Sequence, residues 1–345
     1  MRKQVVIAAL ACTAVAMGVP VSAYADKPAA SDVKVVVSAA GDCTLGTDSA
    51  FNYSTSLNAK YKQKGAAYFL KDVKKVFSKD DLTIVNLEGT LTKRGSKADK
   101  AFAFKGSPSY TKILSAGSVE AVSFANNHCY DYGKISYTDT IKYVKKAGIK
   151  LSSYGKTSVY KVKGVKIGMV SVDDIGRYGG SAKPLIKSGI KKLKKQGADA
   201  IVVSMHAGIE KDYYPSATQK SIAHYAVQQG ADLVLGHHPH VLQGVEKYKG
   251  VYICYSLGNF CFGGNSNPAD KNTMIVQKTF TFHNGKLKKD KAFKVIPCSV
   301  SGHSYYNDYQ PQVLSGAKKK TVMAKVNSYS KPFGMSFNAK GFAKR

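Results

Sequence analysis

The sequence predicts an α/β fold with mixed sheets, on three observations. Short apolar runs alternate with stretches of helical spacing through the first two thirds of the chain, the order expected of strands and helices layered on one core. Gly148, Gly197 and Gly230 each close one of those helical stretches, as left-handed cap residues do. Strand-like runs then accumulate after residue 250, adding antiparallel strands to a sheet that begins parallel.

The elements follow in order. Val33–Ala40 is apolar apart from Lys34 and Ser38 and reads as a largely buried strand. Tyr61–Phe77 reads as one helix, with Phe69, Val73, Val76 and Phe77 on one side. Leu82–Leu87 is a strand, Tyr110–Ala116 a short helix, Val119–Phe124 a strand and Ser136–Ala147 a helix. Gly164 and Val165 divide Val159–Lys163 from Lys166–Val172, which suggests a hairpin. Pro184–Gln196 is a Lys-rich amphipathic helix, Ala200–Met205 a strand, Ser216–Gln229 a helix and Asp232–Leu235 a strand. Val251–Tyr255, Met274–Phe282 and Lys286–Val295 are expected as antiparallel strands, the last two joined by a hairpin at Asn284 and Gly285. The tail after Pro311 is rich in Lys and Ser, and its helical stretch Ala317–Ser328 is expected to pack on the domain. No internal repeat or domain linker is evident.

The chain has 345 residues. Arg2 and Lys3 precede an apolar run, Val5–Val21, and then Ser-Ala-Tyr-Ala before Asp26, the pattern of a secretory signal peptide cut after Ala25. An uncleaved anchor is the competing reading; Pro20 and the small residues near Ala25 argue against it. The expected organisation is a signal peptide (1–25), a short linker (26–32), a main domain (33–301) and a basic C-terminal extension (302–345) packing on or trailing it. Location outside the cell or on its envelope follows.

Lys and Arg number 52 against 22 Asp and Glu, a net charge of +30. Dispersed lysines of this kind give solubility and attraction to an anionic cell envelope, and a polyanionic substrate or partner is the sharper reading. Nucleic acid is not expected, because no recognisable nucleic-acid motif is present. Five cysteines follow residue 25: Cys43, Cys129, Cys254, Cys261 and Cys298. A domain this large needs no disulfide to form a core, so most are expected as small buried apolar residues. Cys43 is either a soft ligand or a neighbour of one; neighbour is expected.

Sites in open α/β sheets form beyond the carboxyl ends of strands. Here polar residues gather at five such ends. Asp42 lies in GDCTLG; Asn86 and Glu88 in NLEGTLT; Asn126, Asn127, His128 and Asp131 in ANNHCYDYG; His206, Glu210 and Asp212 in HAGIEKDY; and His237, His238 and His240 in GHHPH. Any one of these has a bland explanation, since Asp after a strand usually caps a turn or helix. Five at the same end of successive strands point to a shared centre. Carboxylate, carboxamide and imidazole together suit Mn, Fe or Zn.

In order, GDCTLG, NLEGTLT, FANNHCYDYG, MHAGIE and GADLVLGHHPHVLQGVEKYKGVYICYSLGNFCFG resemble the successive signatures of the CapA family of poly-γ-glutamate capsule biosynthesis proteins. The resemblance runs from about Val33 to Ser301. It implies a metallophosphoesterase-like multilayer α/β sandwich with mixed sheets. It also implies one or two divalent metal ions held by Asp42, Glu88, Asn127, His206, His238 and His240, with His237 outside the shell. His128 would face the leaving group, with Asp131 fixing its tautomer; Asn126 would contact substrate, as would Ser256 and Asn259, which would line the site or hold its loop. Two departures stand out. Cys43 and Thr44 follow Asp42 where such phosphoesterases have an Asp-x-His pair, and Glu88 stands where they have Asp. The function implied is a metal-dependent hydrolase of phosphoesterase type, acting in capsule or poly-γ-glutamate synthesis or processing on an anionic polymer or phosphoester. The alternative is a non-hydrolytic accessory factor that binds or exports an anionic polymer beside membrane capsule-synthesis enzymes.

Overall fold

Two sheets stack face to face, each covered outside by helices, in the computed structural model of this chain, which describes residues 32–175, 180–288 and 292–344. The expected signal peptide and nearly all of the linker lie outside the described residues. The first sheet runs Gln312–Val313, Phe293–Ser299, Asn272–His283, Asp32–Thr44, Leu82–Leu87, Ala121–Ser123, Lys150–Ser152. Its last four strands are parallel and the others antiparallel. The second sheet runs Val245–Tyr248, Val251–Cys254, Leu233–His237, Ala200–His206, Val165–Asp173, Ser158–Val162. A small third sheet joins Thr47–Asp48, Phe104–Gly106 and Thr90–Leu91. The fold class is a multilayer α/β sandwich with mixed sheets.

The apolar runs are continuous because most central strands are buried on both faces. Val35, Val37 and Ala39 of the first sheet meet Ala200, Val202, Leu233 and Leu235 of the second in the layer between them. On the outer face of the second sheet, Ile201, Val203 and Met205 pack with Ile186, Ile190 and Leu193 of helix Ala182–Lys195 and Ile222 and Ala226 of helix Ala217–Gln229. Each such side chain contributes about 1.5–3 kcal/mol on leaving water. Two stacked sheets therefore leave the strand ends as the place where polar groups can collect.

Several expectations are corrected. Tyr61–Phe77 is three pieces: helix Leu57–Lys64, a 3-10 turn Ala66–Tyr68 and helix Lys71–Phe77. Gly65 takes a φ of 73°, which ends the first helix; the bend still lets Phe69, Val73 and Phe77 reach the core. Val251–Cys254 pairs in parallel with Leu233–His237 as well as antiparallel with Val245–Tyr248. The turn between Val245–Tyr248 and Val251–Cys254, Lys249 and Gly250, has positive φ at both residues, a hairpin signal that the sequence carried unread. Lys286–Val295 is two strands, Lys286–Lys288 and Phe293–Ser299, separated in part by residues outside the description. The hairpin at Asn284 and Gly285 is present.

The residues after 301 pack into the same unit. Gln312–Val313 extends the first sheet, Phe337 lies 6.1 Å from Phe293, and Val295 donates its N–H to Gly341. Cys43, Cys129, Cys254, Cys261 and Cys298 are all free and buried. Among the described residues no helix is long and apolar enough to cross a membrane.

Candidate metal centre

The carboxyl ends of the parallel strands in both sheets meet at one point. Asp42 sits where strand Asp32–Thr44 breaks register against Leu82–Leu87, an irregularity that re-aims a side chain. Glu88 follows Leu82–Leu87, Asn126 to His128 follow Ala121–Ser123, His206 ends Ala200–His206, and His237 ends Leu233–His237. The GHHPH turn then carries His238 and His240 over the strand ends. Both hold left-handed φ, 100° and 58°, a conformation that costs energy for a side-chain-bearing residue and is held by its surroundings.

The buried carboxylates of Asp42 and Glu88 organise the cluster. Asp42 Oδ1 accepts from Asn86 Nδ2 at 2.8 Å and lies 3.2 Å from His237 Nδ1; Oδ2 lies 3.3 Å from His240 Nδ1. Glu88 Oε1 lies 3.6 Å from His206 Nε2 and 3.7 Å from His240 Nε2. His206 Nε2 is 2.9 Å from Asn127 Oδ1, and the His206 and His238 rings are 4.8 Å apart. Asn259 Oδ1 lies 2.9 Å from His240 Nδ1, and its amide donates to the His240 carbonyl. If Asn259 accepts the Nδ1 proton, Nε2 is directed at Glu88, the usual way an outer partner sets the tautomer of a ligating histidine.

The electrostatics describe a cluster short of positive charge. Burial works to raise the Asp42 carboxyl, but His237 and His240 outweigh it and hold Asp42 well below the usual range. Burial pushes Glu88 up to about 8, against the pull of His240. Burial opposes a proton on His240, yet Glu88 and Asp42 raise it to about 10. His238 falls to about 4, through burial and then His240, and burial holds His206 well below the imidazole range. Protons thus supply compensation that a divalent cation is suited to replace.

The donor set fits such an ion. Glu88 Oε1 and His238 Nδ1 are buried with no hydrogen-bond partner, an arrangement that costs free energy unless something else binds them. Asp42, Glu88 and His240 offer ligand atoms within 4.8 Å of one another, as do Glu210, His238 and His240. Oxygen and imidazole donors of this kind suit Mn, Fe or Zn. Cys43 is in neither of these groups, and burial pushes its thiol up to about 12.

Beside the centre, Asp131 Oδ2 lies 2.7 Å from His128 Nδ1 and accepts the Phe104 N–H at 2.6 Å, and Oδ1 accepts from Lys100 Nζ at 2.9 Å. Burial lowers the His128 pKa despite Asp131. The Phe104 ring lies 4.5 Å from His128, and Phe102 stacks on Phe104. Phe102 and Phe104 end a loop that three buried carboxylates hold. Asp139 takes Thr92 and Arg94, Asp48 takes Lys97 and the Ala103 N–H, and Asp131 takes Lys100 and the Phe104 N–H.

That anchoring gives a prediction. Burial would raise Asp48, but Lys97 and the Ala50 and Ala103 N–H groups outweigh it and depress its pKa. The stability it contributes is present above the unfolded value near 3.9 and is lost as pH falls through the lower folded value. Asp48→Asn should therefore lower stability at pH 7 by about 1–3 kcal/mol. It should also flatten the decline below about pH 4. Urea unfolding across that range reads both; an unchanged profile would refute the assignment.

The structure places the expected residues as follows. Asp42, Glu88, Asn127, His206, His238 and His240 come together, with His128 and Asp131 alongside. His237 is closer than expected, since its ring touches Asp42, although its two nitrogens make no aligned hydrogen bond. Asn126 is not a substrate contact. It is fully buried, its amide donates to the Leu87 carbonyl and Asn86, and its oxygen accepts the His128 N–H. Ser256 is likewise buried, donating to the Val241 carbonyl and accepting the Gly258 N–H, so it holds the loop. Asn259 lines the cleft while holding His240. Glu210 was visible in the sequence only as one polar residue of its strand end, and Lys100 carried no local signal.

The fold and these residues define a class: an α/β sandwich with a candidate metal centre at its parallel strand ends. The chain belongs to the family of bacterial capsule synthesis proteins described as PGA_cap, whose model matches residues 36–264. It is 33% identical over 221 residues to the PGA biosynthesis protein CapA of Bacillus subtilis, covering 58% of each chain. It is 34% identical over 223 residues to the capsule biosynthesis protein CapA of Bacillus anthracis, covering 57% of this chain and 54% of that one. The chain thus spans a little over half the length of these curated relatives. Among solved structures, it is similar to the purple acid phosphatase PPD1 of yellow lupin at a TM-score of 0.35 and 10% identity, over 80% of this chain and 53% of that one.

Proposed function

We propose that this protein is a metal-dependent hydrolase of phosphoesterase type that serves capsule or poly-γ-glutamate synthesis at the cell envelope. The observation that carries the chemistry is the pair of buried ligand atoms without a hydrogen-bond partner, Glu88 Oε1 and His238 Nδ1, within a cluster of four more candidate ligands. The capsule role rests on family membership and on the similarity to the two Bacillus CapA proteins.

Asp42, Glu88, Asn127, His206, His238 and His240 would hold the ion, with Glu210 at its exposed side. When bound, a divalent cation supplies Lewis acidity toward a phosphoryl or acyl oxygen. The protein's own part is proton transfer and orientation. With Asp131 accepting the Nδ1 proton of His128, Nε2 serves the cleft that His128 lines. As a water oxygen bonds to the phosphoryl or acyl centre, the imidazolium of His128, stabilised by Asp131, gives its Nε2 proton to the leaving oxygen or nitrogen. Lys100, bonded to Asp131 and to the Asn127 carbonyl, locks that pair against the ligand turn.

Elemental analysis of protein purified without chelator, combined with hydrolysis of a generic phosphodiester, tests this reading; a metal-free, inactive protein that stays inactive after Mn, Fe or Zn is added would overturn it. Asp131→Asn should lower the hydrolysis rate about 10²–10⁴-fold while metal content stays constant. Loss of metal instead would reassign Asp131 to holding the ligand turn. A second reading, an accessory factor that binds an anionic polymer without cleaving it, is favoured by the net charge of +30. It is also favoured by Thr44, whose hydroxyl bonds Glu88 where a ligand histidine would stand.

A further inference from the structure

Four phenylalanines line the cleft beside the centre: Phe51, Phe102, Phe104 and Phe262. None belongs to the three hydrophobic cores of the described residues. Three of them make one wall. The Phe102 ring lies 6.4 Å from Phe104 and within 7° of parallel to it, and Phe51 lies 6.0 Å from Phe102. The local fold builds this wall. Thr47–Asp48 pairs with Phe104 and Lys105, and the Phe51 N–H donates to the Asp48 carbonyl. Phe104 is buried, but Phe102 is 51% exposed. A contiguous apolar surface at a cleft, outside any core, marks a place where something binds.

The wall stands on the side of His128. The Phe104 and His128 rings are 4.5 Å apart, and His128 turns Nδ1 to Asp131, leaving Nε2 for the cleft. The other rings of the cleft are placed differently. Phe262 lies 5.6 Å from His240, on the ligand side. Tyr213 stacks on Tyr329 and bonds Asp270, and His303 stacks on Tyr306. The cations of the loop before Phe102 are already engaged: Arg94 on Asp139, Lys97 on Asp48 and Lys100 on Asp131. Lys105, just after Phe104, lies over the Tyr132 ring at 4.0 Å. This side of the cleft therefore recognises a surface and not a charge.

We infer that the leaving group of the substrate carries a flat aromatic ring, that this ring lies on the Phe51–Phe102–Phe104 wall, and that Phe102 is the residue that selects it. A leaving group close enough to take the Nε2 proton of His128 lies next to Phe104. Rings stack offset or meet edge to face, and the parallel pair of Phe102 and Phe104 leaves that geometry ready for a third. The wall has no hydrogen-bonding group with which to read a particular ring, so it accepts the π face of a nucleobase or of a simple aryl group alike. The inference rests on the hydrolase reading for the reaction itself. There the P–O bond to the ring-bearing group breaks, a water oxygen makes the new P–O bond, and the His128 proton goes to the leaving oxygen.

The test is calorimetric titration of the protein with benzylphosphonate and with cyclohexylmethylphosphonate. The two share charge and similar size, and their C–P bond is not hydrolysed; one ring is flat and the other puckered. Whatever the centre contributes to the common phosphonate cancels between them. Benzylphosphonate should bind at least about fivefold tighter. Phe102→Ala and Phe102→Leu should each bring the two affinities within about twofold, and Phe102→Tyr should keep the preference. Circular dichroism verifies that each variant is folded. In hydrolysis of benzyl methyl phosphate, Phe102→Ala should raise KM at least about fivefold and leave kcat within about twofold. A nucleoside 5′-methylenephosphonate that binds tighter than benzylphosphonate assigns nucleosides as the source of the ring; weaker binding assigns simple aryl esters. Equal binding of the flat and puckered probes would make the wall a general apolar surface and overturn the inference. So would binding of neither probe, or a preference that survives Phe102→Ala and Phe102→Leu. Ring-selective binding without hydrolysis of any ester would sink the hydrolase reading alone; hydrolysis with no ring preference would sink this inference alone.

Discussion

On the hydrolase proposal, replacing His238 and His240 together with alanine is expected to abolish metal retention and reduce phosphodiester hydrolysis to background. These two side chains offer imidazole from a turn in which both residues hold left-handed φ. Both belong to the ligand group with Glu210, and His240 also joins Asp42 and Glu88. The double variant has a second consequence. His240 lies 3.3 Å from Asp42 and 3.7 Å from Glu88, so its loss leaves two buried carboxylates without their shared cation. Removing one partner of a buried ion pair costs about 3–5 kcal/mol. His238→Ala alone separates the two effects, because His238 Nδ1 has no hydrogen-bond partner to lose. It should weaken metal retention with a much smaller fall in melting temperature. Metal content and turnover that survive in the double variant would remove the hydrolase proposal.

Gly41→Ala is expected to be among the most damaging single methyl groups near the site. A Cβ at Gly41 would lie 1.9 Å from the Gly258 carbonyl oxygen and 2.8 Å from its carbon, both backbone atoms. No rotamer change relieves that overlap, so one strand end must move away from the other. Overpacking typically costs about 1–3 kcal/mol, and a clash of backbone with backbone belongs at or above the top of that range. The displaced atoms are those that set the site. Asp42 N–H donates to the Gly258 carbonyl at 2.9 Å, and the next residue, Asn259, orients His240. Metal affinity and thermal stability should therefore fall together. A variant that melts like the parent and holds metal equally well would show that this close approach is not required.

Part of this was legible without coordinates. The strands around Val35, Ile84 and Val202 were readable because two-sided burial leaves a continuous apolar run. The ligand candidates were readable because each stands directly after such a run. The roles of Asn126 and Ser256 could not be separated in the sequence, because a buried carboxamide or hydroxyl that braces a loop is the same residue type as one that meets a substrate. Glu210 and Lys100 were not singled out because their roles depend on how loops fold over the strand ends, which no local pattern encodes.

By itself, the sequence determined which residues carry chemistry and that they sit at successive strand ends, since burial and turn geometry leave a periodic local trace. Only the tertiary structure decided that both sheets aim those ends at one cluster, with Asp42 and Glu88 unable to be buried together without shared positive charge. It also decided that a helix more than seventy residues beyond the GHHPH turn forms a wall of the same cleft. Contacts between segments so distant along the chain follow from the packing of whole layers, and no short stretch of residues records them.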